Sequence, residues 1–514
     1  MSSEKPTFNL VNKPWIPIAG VGERSLRDVF EHPEYQRLGG MPVEKVVILR
    51  LLLSIVHAST QIPDKKAWRK LTPEQIARNA LAYLEKWHDR FDLFDEEHPF
   101  LQFPQLKGKC EKAGLEGIAW TAASGNKTLL TQWSDMKCFS DAEVARLLLC
   151  GTCYGGGGKK YDYKAKVDPA GPDKSKSASQ GTLTGYSGYL HSFMLGETIL
   201  ETIYLNLLTE EDLKRPSIFS ELDPWGRPFW EAMPTDESGS TAEAYRSTYQ
   251  GHLFPLNKFF CLDGDALLMT EGISYPTHKA GQWDPGIVLL YGKKPEDTRA
   301  LWCDTERKPW RQLTALLEFM NQDSHSSMPA FIVRGLDKMD RSIDRTFGIW
   351  TGGVGVNCNS GEQYVSAKKD YVESDFTIPM SWYHGENNVF FERYKNLMQT
   401  LDDYADALYR AVGRYFKILN EQRSGDLASQ AVQLFWEKME PQAQAIIDLS
   451  LEEEDSEMVL AAKKAWWGVV RSCYDQFCSH QTPRQIQAYV QGAPYVGKKS
   501  SKAKSTKKAK KEKV

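Results

Sequence analysis

The sequence predicts an α+β protein: a large, irregular, mixed α/β N-terminal domain (residues 1–384), then a C-terminal four-helix bundle (385–496) and a disordered lysine-rich tail (497–514). Three observations carry this. Over residues 387–422 apolar side chains recur at three or four positions: Phe391, Tyr394, Leu397, Leu401, Tyr404, Leu408, Val412, Tyr415 and Ile418. From about 225 to 379, short β-prone runs are broken by Gly, Pro and Asp. The stretch 498–514 holds nine lysines and one glutamate, a composition that cannot bury a core.

Taken in order, residues 8–20 read as a strand and turn. Residues 42–57 and 72–87 are helical. Thr72 caps the second, Pro73 takes its first position, and Gln75 completes a capping box. A short helix spans 141–149. Residues 198–208 fit a strand or a buried helix equally well. One helical stretch, 310–320, interrupts the strand-rich region. In the bundle, 427–449 continues the helical pattern with a break at Pro441, 452–477 is a third helix with an acidic start, and 482–491 is a fourth with Pro483 at its first position.

At 514 residues there is room for two or three domains. The net charge of −3 hides a segregation: the tail carries +8, so the rest of the chain carries −11. The longest apolar run, VVILRLLLSIV over 46–56, contains Arg50 and falls short of the roughly 18 residues that span a bilayer. The polar opening MSSEKPTFNL lacks the apolar stretch of a signal peptide. Nine cysteines are scattered, as reduced thiols would be. These features read as a cytoplasmic protein with no membrane partner.

Two segments stand out chemically. The first is a Gly/Lys loop over 154–186, opening with Gly155, Gly156, Gly157 and Gly158. Six lysines follow (Lys159, Lys160, Lys164, Lys166, Lys174 and Lys176), interleaved with Tyr161 and Tyr163. Glycines permit close backbone approach, and cations with flat aromatic faces suit a nucleic-acid groove; a solvated surface loop has the same composition. The second is a hairpin over 347–374, with arms at 347–350 and 363–366 around a turn rich in Gly and Asn. A rigid hairpin with amide residues at its tip suits insertion between base pairs, although an ordinary surface hairpin fits too. Cys150-Gly-Thr-Cys153 lacks the second ligand pair that zinc requires and reads as buried free thiols. His98 and His384 read as turn residues, and the acidic clusters at 95–97 and 452–455 as solvated faces. No HExxH, nucleophile elbow or P-loop is present, and nothing calls for a cofactor.

FNLVNKPWIPI near the start, EHPFLQ at 97–102, the glycine loop, GGVGVNCNSGEQYVSAKKDYVES and a C-terminal bundle occur in that order. In this order the chain resembles the large-subunit (CasA) family of the type I-E CRISPR Cascade complex. The resemblance covers nearly all of the chain except the tail. It implies a non-enzymatic subunit that inspects the protospacer-adjacent motif (PAM) of duplex DNA through the minor groove. It also implies that the subunit wedges the duplex open for the guide CRISPR RNA and positions a helicase–nuclease. Its other partners would be the backbone subunits, the small-subunit dimer and the handle-binding subunit. The groove contact would fall on Gly155 to Gly158 with Lys159 and Lys160. The family's groove lysine aligns with Asp265, leaving Lys279 as a nearby substitute. The wedge would comprise Asn357, Cys358, Asn359, Ser360, Gly361, Glu362 and Gln363, with Gln363, Asn357 or Asn359 supplying the tip amide. Lys164, Lys166, Lys368 and Lys369 would meet phosphates, and Leu129, Leu130 and Thr131 the guide's 5′ handle. The hairpin and lysine loop are longer than the family pattern. Competing readings are a metal-dependent nucleic-acid enzyme, built on carboxylates or Cys150 and Cys153, and an RNA-binding scaffold that does not inspect DNA.

Overall fold

The computed structural model describes residues 7–119, 139–154, 165–170, 188–214, 223–273, 275, 284–290, 294, 299–305, 307–316, 326–327, 330–339, 345–359, 362–365, 371–384 and 389–496. The chain divides into two compact units, Met1–Met380 and Ser381–Val514.

The first unit mixes short helices with small antiparallel sheets. It opens with β1 (Ile16–Ile18) paired to β2 (Gly22–Arg24), then α1 (Leu26–Glu31), α2 (Pro42–Ser59), α3 (Lys65–Lys70) and α4 (Pro73–Lys86). The box expected at α4 forms: Thr72 Oγ1 accepts from Gln75 N at 3.3 Å, and Gln75 Oε1 accepts from Thr72 N at 3.1 Å. Helix α2 is apolar on all sides because it runs through the core, with Val46 to His57 buried throughout. Next come α5 (Asp141–Tyr154), β3 (His191–Leu195) and α6 (Ile199–Asn206). The ambiguous run is thus a helix, because Thr198 caps it by accepting from Glu201 N at 3.2 Å.

The region from 225 holds more helix than expected. After α7 (Glu210–Leu213) lie α8 (Ser240–Arg246) and α9 (Tyr249–Leu253), then the hairpin β4 (Lys258–Asp263) and β5 (Ala266–Glu271). Strands β6 (Leu289–Leu290), β7 (Arg299–Ala300) and β8 (Ser326–Ser327) form a small sheet, with α10 (Leu313–Leu316) between the last two in sequence. Helix α11 (Ala330–Lys338) lies where the sequence predicts strand-rich chain. It is short, and its buried Phe331, Ile332 and Leu336 resemble a strand's apolar content. The unit closes with β9 (Thr346–Val354), β10 (Val356–Asn359), β11 (Glu362–Val365) and β12 (Tyr371–Pro379).

The second unit is a helical bundle: α12 (Ser381–His384), α13 (Val389–Ile418), α14 (Ser424–Met439), α15 (Ala443–Leu449), α16 (Glu457–Phe477) and α17 (Pro483–Gly492). His384 therefore ends a helix rather than sitting in a turn. Helix α13 packs against α14, α16 and α17, and α14 against α16. Its predicted stripe is buried from Phe391 to Tyr415, except half-buried Tyr404, which meets Trp467 edge-on at 5.0 Å. Pro441 forces the expected break, a 3-10 turn between α14 and α15. Helix α16 starts later than expected because Ser456 takes the capping position, accepting from Val459 N at 3.3 Å; Glu452 to Asp455 precede it.

Two buried histidines give the fold an acid sensitivity. His57 packs against Trp225 and Tyr249 at 4.8 and 5.2 Å, and His191 against Tyr154 at 5.2 Å. Burial pushes each pKa down to about 3, helped by the charges of Lys338 and Arg50 respectively. Between pH 6.5 and 3 the unfolded chain binds protons that these folded imidazoles refuse, so stability falls as pH falls through that window. Replacing His57 with Leu is expected to flatten the decline of Tm between about pH 6.5 and 4, measured by calorimetry. An unaltered slope would rule this origin out.

Candidate nucleic-acid interface

The expected hairpin exists, but its arms are not those expected. Strand β9 pairs along its whole length with β12, Thr346 opposite Pro379 and Val354 opposite Tyr371. Phe347 and Trp350 therefore face Ile378 and Asp375, not residues 363–366. The glycines at 352–353, expected within the turn, are strand positions crowded by neighbours. A Cβ on Gly353 would lie 2.6 Å from the Tyr189 carbonyl oxygen, and one on Gly352 2.9 Å from that of Val372. The turn comes later. After Gly355 the chain forms a second, inner ribbon, β10 with β11, in which Asn357 faces Tyr364, Cys358 faces Gln363 and Asn359 faces Glu362. That register leaves Ser360 and Gly361 between the last paired residues. Alternation puts positions 357 and 359 on one face of the ribbon and the 358–363 pair on the other. Ser360, Gly361, Lys368 and Lys369 lie outside the described residues.

Strand β9 is held on its other edge by β3, with Ser192 opposite Thr351 and His191 opposite Gly352. Trp350 stacks on Phe193 at 4.7 Å and donates to Glu373 at 3.1 Å. Glu373 also accepts from Lys45 of α2 at 2.6 Å. The sheet carrying the inner ribbon is thereby fixed to the central helix.

The glycine segment begins where α5 stops. This helix runs past the expected end at 149 to Tyr154, so Cys150 and Cys153 occupy its last turn. Gly151 lets the helix approach β4: a Cβ there would lie 3.0 Å from the Phe260 ring. Asn257 closes the helix by donating its backbone N–H to Thr152 O at 3.0 Å and its side-chain amide to Cys153 O at 2.6 Å. Burial drives both cysteine thiols well above their usual range, so both stay protonated and are poor metal ligands. Among the described residues, no three His, Cys, Asp or Glu side chains are grouped to hold a metal ion.

Gly155, Gly156, Gly157, Gly158, Lys159, Lys160 and Lys164 lie outside the described residues, as do Lys279 and Leu129, Leu130 and Thr131. The loop expected over 154–186 is not continuous, because the chain meets the body again at 165–170. There Ala165 O accepts from Thr270 at 2.8 Å, Lys166 O from Lys109 at 3.2 Å, and Val167 N donates to Glu237 at 3.0 Å. Lys166 is half-buried. Asp265 sits with Gly264 in the two-residue turn joining β4 and β5.

EHPFLQ is a packing device. Asp95 accepts from the N–H groups of Glu97 and His98, which makes the expected turn. Leu101 adopts a left-handed φ of 62°, and buried Gln102 bridges Leu93 O at 2.8 Å and Leu262 N at 2.8 Å. The motif thus ties the N-terminal region to β4.

The residues that the sequence does not single out lie buried inside the first unit. Arg50 of α2 donates to both carboxylate oxygens of Asp284, at 3.1 and 2.7 Å, with both side chains 1% exposed. Burial opposes the charge on each group, and their mutual attraction outweighs it: Arg50 is held further up and Asp284 below the usual carboxylate range. An arginine inside an apolar helix signals that a buried acid must exist, but not which one.

A sheet-mounted double hairpin and a helical bundle define the class by architecture, a mixed α+β unit followed by a helical unit. Among the described residues no helix is long and apolar enough to cross a membrane. The chain belongs to the CRISPR-associated protein Cse1 family, whose model matches residues 9–473. Cse1, also called CasA, is the large subunit of the Cascade surveillance complex, the family expected from the sequence. A CasA/Cse1 protein of Thermus thermophilus is 28% identical over 335 residues, and the matched part spans 60% of each chain. The crystal structure of Thermobifida fusca Cse1 aligns with a TM-score of 0.71 at 19% identity, covering 95% of this chain and 96% of that one. Thermus thermophilus CasA aligns at 0.67 and 18%, covering 94% and 97%. A chain of a CRISPR RNA-guided surveillance complex aligns at 0.65 and 19%, covering 95% and 99%. The shared fold is thus an α+β unit followed by a helical bundle.

Proposed function

We propose that this chain serves as the large subunit of a type I-E Cascade, reading the PAM of duplex DNA through the minor groove and prying the neighbouring base pairs apart. The inner β10–β11 ribbon carries this reading. It is a short, in-register double strand with only Ser360 and Gly361 at its end, mounted on a sheet fixed to the central helix. A stiff, narrow ribbon is the shape that enters a base-pair step. The glycine segment and Lys159, Lys160 and Lys279 contact the groove and backbone. Because the minor groove separates A·T from G·C poorly, such contacts give a short, degenerate code. Opening one step costs about 1–2 kcal/mol, which ribbon insertion and guide pairing offset. Sequence reading then passes to the guide. The bundle holds the displaced strand and positions the helicase–nuclease. The chain itself performs no catalysis.

The test uses the reconstituted complex with its guide and a library of closed duplexes, each bearing the matched target beside randomised bases. Preferential binding of a subset of flanking sequences is expected; uniform binding would leave the scaffold reading standing. In the same assay, Lys159→Ala with Lys160→Ala is expected to weaken binding for every flank and to reduce the salt slope by about 0.9 per lost phosphate contact. An unchanged slope would remove these lysines from the interface.

A further inference from the structure

Resting on that reading, we propose that Trp302 and Tyr371 form a stacking platform at the root of the inner ribbon, which takes unpaired bases of the displaced DNA strand as the duplex opens. Among the described residues of the first unit these are the two most exposed aromatic residues, at 40% and 44%. The sheet register brings them to the same place. Tyr371 begins β12 and faces Val354, the last residue of β9. On the other edge of β9, His191 of β3 faces Gly352, so two residues further along Tyr189 comes opposite Val354. The backbones are close there, since a Cβ on Gly353 would lie 2.6 Å from Tyr189 O. Trp302 in turn bridges to Tyr189 and meets its ring edge-on at 5.1 Å. Trp302, Tyr189, Val354 and Tyr371 therefore make one cross-strand row, and residues directly opposite share a sheet face. The middle two are buried and the outer two exposed. At about 4.8 Å per strand, the row measures about 14 Å from end to end. It lies just where β9 gives way to β10.

The chemistry of an opened duplex supplies the ligand. The target strand pairs again with the guide, so its bases regain a stack. Bases of the displaced strand are left with their faces in water. A flat aromatic side chain restores stacking whatever the base. A cation accompanies the rings: the chain leaving Trp302 reaches β12 at the 3-10 turn Pro309–Gln312, and exposed Arg307 lies on the stretch between. Its guanidinium suits the phosphate next to a stacked base. Glu373, two residues along β12 from Tyr371, is already engaged by Lys45 and Trp350. A single exposed aromatic residue calls for no ligand. Two in one row, beside the ribbon that opens the duplex, do.

The test uses the assembled complex and two closed duplexes: one intact, one with abasic sites at the first four displaced-strand positions beside the flank. A fluorescent base analogue in the target strand reads the lifetime of the open state. Trp302→Ala combined with Tyr371→Ala is expected to shorten that lifetime about tenfold on the intact duplex and to leave it unchanged on the abasic one. Trp302→Phe with Tyr371→Phe keeps both rings and should restore the lifetime. Equal losses on the two duplexes, or a loss on neither, overturn the proposal. Failure of the alanine variant to assemble before DNA is added would show that the rings cover a protein partner, and overturns it too. If the unmodified complex does not open closed duplex, the functional reading itself fails; if it does and the variants treat both duplexes alike, only the platform fails.

Discussion

Replacing residues 358–363 by a two-residue Asn-Gly turn is expected to slow opening of closed duplex about a hundredfold while leaving assembly with the guide intact. The exchange keeps Asn357 facing Tyr364, and Asn-Gly closes a tight hairpin without strain. Assembly should survive because β9, β12 and β3 pair in a sheet of their own, separate from the β10–β11 ribbon. The magnitude follows from stacking. An intact base-pair step holds about 1.4 kcal/mol, so losing the means to open two steps costs about 2.8 kcal/mol. That corresponds to about a hundredfold in rate. Stopped-flow fluorescence of a base analogue beside the target reads opening directly. A shortened ribbon that opens closed duplex at the normal rate would dismiss the wedge, whereas normal kinetics on a bubble duplex are expected in either case.

Replacing Asp284 with Ala is expected to destabilise the N-terminal unit by about 3–5 kcal/mol, because Arg50 is left charged and buried without its partner. Arg50→Met together with Asp284→Leu should recover most of that loss, since the uncompensated charge is gone. Chemical denaturation of the single and double variants gives both numbers. A single variant as stable as the unmodified chain would show that solvent or another acid reaches Arg50.

Local rules were readable from the sequence where the controlling residues lie close together. Thr72 with Gln75 and Thr482 with Gln485 cap their helices, Pro441 breaks one, and the Phe391–Tyr415 stripe faces the bundle core. The reading failed where distant parts decide. The glycines of β9 look like a turn until β12 and Tyr189 are seen against them. The CxxC run resembles loop until Asn257, far along the chain, closes the helix over it. The segments proposed as the interface stand out as motifs, from composition and order. The buried Arg50–Asp284 ion pair does not, because its partners lie 234 positions apart and only folding brings them together.

The clamps at either end of the glycine segment bear on how this protein can diverge. Tyr154 is fixed by the helix end, and Ala165 to Val167 by Thr270, Lys109 and Glu237, so both anchors of the 155–164 stretch are set by the body. Doubling the length of that stretch costs only about 0.6 kcal/mol of closure entropy. On the proposed function, exchanging residues 155–164 alone is then expected to shift the flanking preference while the anchoring body stays unchanged.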